Sequence, residues 1–164
     1  MRDGADATPT LGVELSPDDP VPAVVDRGVA AENAGYDVAF VSCHYNNRDP
    51  FATLTRLADA TERIRLGPGV ANPYELHPVT LAGKTATVAE LSGGRAAFGI
   101  GPGAPSTLRN LGLDDERGLR SVLEAFKTAQ QLWAGERVDH EGTFDAADAG
   151  LNYEPPQGAD IPVH

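Results

Sequence analysis

Leu66-Gly67-Pro68-Gly69-Val70-Ala71-Asn72-Pro73 follows a short β-type run, Arg63 to Leu66, and precedes a helix that opens at Pro78. In parallel α/β folds the loops at the C-terminal ends of the strands carry the chemistry. Two glycines around a proline let the backbone bend into positive φ and come close to a ligand, which bulkier residues resist. A sharp β-to-α turn explains the same residues without any ligand, because Gly and Pro punctuate any turn. A second Gly-Pro-Gly, Gly101-Pro102-Gly103, ends the next strand in the same way. Two adjacent strand ends are then bare of side chains, as a flat ligand lying across them would require.

Outward from that stretch the chain alternates strand and helix. Thr10 to Leu15 reads as a first strand, Val21 to Asn33 as a helix ending at Gly35, and Asp37 to Val41 as a second strand. Asp49-Pro50 is an N-cap with proline at the first helical position, and Phe51, Leu54, Leu57 and Ala58 give the second helix its buried face. A third helix runs from Pro78 to Leu91, and Arg95 to Ile100 is a fourth, continuously apolar strand. The fourth helix spans Asp115 to Ala134, with Leu119, Val122, Leu123, Phe126, Ala129 and Trp133 as its core stripe. Arg137 to Tyr153 holds a hairpin around His140-Glu141-Gly142-Thr143, and a fifth strand begins at Ile161. Strand centres near Val13, Ala39, Leu66 and Phe98 set the βαβ rhythm of a parallel sheet. A doubly wound nucleotide fold wants glycines after its first strand, where Ser16-Pro17 stands. The polar loops after strands one to four favour a (β/α)8 barrel, and as eight strands need ~250 residues, this chain holds about the first half.

Composition narrows the partners. The 164 residues carry 24 Asp and Glu against 13 Lys and Arg, a net charge of −11, and of the basic residues only Lys84 and Lys127 are lysines. Such a charge repels nucleic acid and anionic membranes, and the lysine-poor acidic excess resembles the surfaces of halophilic proteins. Cys43 is the single cysteine, so no internal disulfide forms, and a reducing, cytoplasmic setting is expected. Residues 1–9 read as a disordered tail and 10–164 as one domain. His44, His77, His140 and His164 lack metal-ligand spacing, and Cys43-His44 has no third group to make a nucleophilic pair.

Cys43-His44-Tyr45-Asn46-Asn47-Arg48, together with the 66–74 stretch, Leu91-Ser92-Gly93-Gly94-Arg95 and Gly99-Ile100-Gly101-Pro102-Gly103, resembles the luciferase-like monooxygenase superfamily. The likeness is nearest to its coenzyme F420-dependent methylenetetrahydromethanopterin reductases and covers the chain from Leu11 onward. It implies a TIM barrel that holds the deazaflavin F420, or alternatively FMN, at its C-terminal strand ends and passes a hydride to a pterin-bound one-carbon unit. Gly69-Val70 matches a non-prolyl cis peptide against the cofactor ring, and Gly101, Gly103 and Thr107 match positions along the ring and tail. His44 matches a histidine facing the ring, although a loop histidine can instead cap the next helix. Glu14 matches an acidic residue beside the substrate; on an apolar strand it is costly if buried, and unremarkable if it points outward at the strand end. Two positions depart from the family pattern: Cys43 stands where an aspartate is usual, and Ala104 where an acidic residue is common. With half a barrel, Val13, Ala39, Leu66 and Phe98 are expected to face water, so that the chain pairs with a second copy or with a complementary C-terminal half. A non-catalytic half-barrel is the remaining alternative.

Overall fold

The computed structural model describes residues 10–113 and 118–164, so the expected tail at 1–9 and the expected helix start at Asp115 lie outside the described residues. Three strands, β1 (Gly12–Leu15), β2 (Val38–Val41) and β3 (Arg65–Pro68), pair in parallel in that order. Val13 stands beside Ala39, and Ala39 beside Leu66. The sheet continues through the 95–100 segment, which bridges to β3 at Ala96 and beyond it at Ala71, and through Val163, which bridges to Phe98. Backbone bonds from Phe98 to Pro162 (2.9 Å) and from His164 to Phe98 (2.9 Å) make that last pairing.

Helices α1 (Val21–Asn33), α2 (Pro50–Ala60) and α3 (Pro78–Leu91) fill the crossovers. Local chemistry accounts for their ends. The Asp49 carboxylate accepts the Ala52 N–H at 2.7 Å, and Gly35 takes φ +87° just past α1. His77 caps α3, its Nδ1 accepting the Val79 N–H at 3.3 Å. A short α4 (Pro105–Leu111) precedes α5 (Leu119–Trp133), and β4 (Val138–His140) pairs antiparallel with β5 (Ala146–Ala149).

Three expectations need correction. The third strand starts at Arg65, not Arg63, because the Glu32 carboxylate takes the backbone N–H groups of Glu62, Arg63 and Ile64. In consequence Gly67-Pro68 belongs to the strand and not to the turn. The core stripe of α5 is rotated: Leu119 is 72% exposed and Leu123 is exposed, whereas Ser121, Val122, Ala125, Thr128 and Ala129 are buried. The helix packs against α3, whose Ala82, Ala86 and Ala89 are fully buried, and small residues on both sides allow close approach. The third correction concerns the sheet. Ala39, Leu66 and Phe98 are fully buried and Val13 packs on the same core, so all four face the helices. Phe98 meets Trp133 of α5 edge to face, centroids 5.3 Å apart, and the Trp133 indole donates to the Ala82 carbonyl at 3.0 Å.

Candidate functional site

Side chains alternate along a strand, so residues out of phase with that core point to the opposite, concave face. Glu14, Phe40, Gly69, Val70, Gly99 and His164 line a cavity of ≈ 210 Å³ there. Glu14 is exposed, so the desolvation cost expected of a buried-strand carboxylate does not arise. The Ser42 hydroxyl donates to its Oε1, and the Phe40 ring packs on His164 with centroids 5.3 Å apart.

The glycines of the two strand ends are points of close approach between neighbouring segments. A Cβ on Gly69 would sit 2.6 Å from Phe40 Cβ, and one on Gly101 would sit 2.9 Å from Val70 Cγ2. A Cβ on Gly99 would strike the Pro68 carbonyl oxygen and press on Val70. Gly103, at φ +75°, leaves the room that the Asn72 amide fills. These glycines therefore let neighbouring strand ends interlock, with Val70 seated on Gly99 and Gly101 and still 40% exposed at the cavity. The Gly69–Val70 peptide is cis. The Gly101 N–H donates to the Ala71 carbonyl at 3.0 Å, so it belongs to the sheet and is not a free donor for a ligand. Thr107 is half-buried in the first turn of α4.

His44 lies elsewhere. It is exposed in the loop after β2 and lines a second cavity of ≈ 220 Å³ with Cys43, Tyr45, Asp49, Asn72 and Glu75. Asp49, and not His44, caps α2. The Cys43 thiol points back to the Val41 carbonyl at 3.6 Å, and burial pushes it up to about 12, so it stays neutral and cannot replace a carboxylate. Glu75 is the half-buried carboxylate of this cavity. Burial raises it above the usual glutamate range, while the Asn72 amide at 3.1 Å and the charge of His44 act in the opposite direction. Gly69 and Val70 line the first cavity, Ala71 and Asn72 the second, so one loop forms part of both.

Sequence reasoning missed Ser42, Asn72 and Glu75. Ser42 was accessible from register, because it follows Val41 and shares the parity of Phe40 and Glu14. Asn72-Pro73 carries an Asx-turn signal, and its Oδ1 does accept the Tyr74 N–H at 2.9 Å. Among the described residues no group of three or more His, Cys, Asp or Glu could hold a metal, and no helix is long and apolar enough to cross a membrane.

The family described as luciferase-like monooxygenase matches residues 2–164. The 5,10-methylenetetrahydromethanopterin reductase of Methanolobus tindarius is 39% identical over 133 residues, 81% of this chain and 41% of the relative. The reductase of the same name from Archaeoglobus fulgidus is 37% identical over 155 residues, 94% of this chain and 46% of the relative. The solved structure of the coenzyme F420 dependent tetrahydromethanopterin reductase from Methanopyrus kandleri superposes with a TM-score of 0.89 at 34% identity, covering 96% of this chain and 50% of that one. The chain thus spans about half the length of the relatives it matches, and its strands and helices form half of their barrel. Family match, identity and superposition agree along nearly its whole length: the chain belongs to the luciferase-like monooxygenase family.

Proposed function

We propose that this chain supplies the N-terminal half of a barrel that transfers a hydride from reduced coenzyme F420 to a pterin-bound one-carbon unit, taking a methylene to a methyl. The observation that carries this reading is the Val70 ledge. An apolar side chain, propped on two glycines, projects into a cavity walled by Phe40 and flanked by a carboxylate. That surface suits one face of a flat, tricyclic ring, and the chain's similarity to F420-dependent reductases supports the deazaflavin over FMN.

When bound, the deazaflavin supplies the hydride; the residues of this chain hold the reactants and handle protons. Gly69 and Val70 support the ring. Glu14, held at one oxygen by Ser42, is the acceptor beside the substrate. His44, in the adjoining cavity, would hydrogen-bond or exchange protons with the bound cofactor. Gly103 and Thr107 stand where the cofactor tail would run. The partners of the site are a pterin-type substrate and either a complementary C-terminal half or a second copy of the chain.

The test is the oxidation of reduced F420 by a form of the chain completed with a second half-barrel, with and without methylene-bearing pterin. Pterin-dependent oxidation is expected. Oxidation supported only by FMN and oxygen, or none at all with a folded protein, contradicts the assignment.

A further inference from the structure

Ser42 is 2% exposed at the end of β2, and its hydroxyl donates to Oε1 of Glu14 on the neighbouring strand. The backbone fixes the pair from both sides. Gly12 to Leu15 run in register with Val38 to Val41, and the Ser42 N–H then donates to the Leu15 carbonyl at 3.0 Å, which carries the ladder one residue further. A hydroxyl inside that ladder has little freedom, whereas an exposed glutamate side chain has three rotatable torsions to lose. Glu14 lines the cavity with Phe40, Gly69, Val70, Gly99 and His164, so its position decides what the cavity presents to a ligand.

We infer that Ser42 is a positioning residue, whose buried hydroxyl holds one Glu14 oxygen against the sheet and directs the carboxylate into the Val70 cavity. This rests on the role proposed above for Glu14. A serine donor also suits an ionised carboxylate, which accepts and cannot donate. Loss of the hydroxyl leaves the carboxylate in place but unfixed, which lowers turnover more than ring binding.

The test uses the completed barrel and an isosteric pair, Ser42→Thr and Ser42→Val, which add the same bulk and differ in the hydroxyl. Ser42→Thr is expected to stay within about twofold of the parent in kcat, while Ser42→Val falls about tenfold with KM for F420 unchanged, the mark of an interaction expressed in the chemical step. In a Glu14→Gln background, exchanging Thr for Val at position 42 is expected to change nothing further. Equal kcat for the Thr and Val variants, or an undiminished effect in the Glu14→Gln background, overturns the positioning role. Full activity of Glu14→Gln itself removes the role of Glu14, and leaves Ser42 nothing to position.

Discussion

The two faces of one sheet are built on opposite terms. On the convex face Ala39, Leu66 and Phe98 are sealed under the helices, and Phe98 and Trp133 lock edge to face. On the concave face the same strands present glycines, a carboxylate and the Phe40 ring set edge to face against His164. Alternation along each strand separates the two, so adjacent residues such as Ala39 and Phe40 answer to different demands. The buried apolar contacts concentrate on one face, and the proposed ligand chemistry belongs to the other. Substitutions on the two faces should therefore divide cleanly between melting and turnover.

The largest effect is expected from Phe98→Ala. Removing a fully buried ring from the contact with Trp133 should cost about 3 to 5 kcal/mol in chemical denaturation. A loss below about 1 kcal/mol, within the range of surface changes, would show that the helix layer does not depend on this contact. Gly99→Ala is the substitution that breaks the division. Its methyl meets the Pro68 carbonyl and Val70 at once, so a stability loss of about 1 to 3 kcal/mol should be accompanied by weaker cofactor binding. A variant that loses stability but binds the cofactor normally would show that Val70 is not the ring's support. His44→Ala should lie wholly on the chemical side, lowering hydride transfer by about tenfold with an unchanged melting temperature. An unchanged rate would leave His44 as an ordinary loop residue.

Much of this frame was legible because its signals are local. Asp49-Pro50, Gly35 and the apolar spacing of α2 marked their elements from a few neighbouring residues. Distant partners accounted for the failures. Glu32 is 30 residues or more from the N–H groups it captures, so nothing near Arg63 reveals that the strand starts late. The face of α5 is chosen by the alanines of α3, which outweighed the larger Leu119 and Leu123. The helix α4 is readable in principle, because Pro105 at its first position suits a helix start. In the candidate site, Glu14 and the Gly69-Val70 pair line one cavity and His44 another, while the Gly101 N–H bonds within the sheet. Ser42 bonds Glu14 and Asn72 bonds Glu75 only once the strands and the 72–75 turn are in place, which residue types alone do not disclose.

The smallest expected effect concerns pH. A carboxyl raised in the folded state contributes stability that is fully present below its unfolded value and is lost as pH rises through the folded one. Glu75 is raised by burial, so Glu75→Gln should gain melting temperature relative to the parent as pH climbs through and just above the usual glutamate range. A parent–variant difference that is flat across that window would show that burial does not govern Glu75.

On the proposed function, the concave face receives a deazaflavin ring. Calorimetric titration of the completed barrel with F420 and, separately, with FMN tests it most directly. Tighter binding of F420, weakened by Gly99→Ala and insensitive to His77→Ala, a residue that lines neither cavity, is the predicted result. Binding of FMN as tight as or tighter than F420 would contradict it.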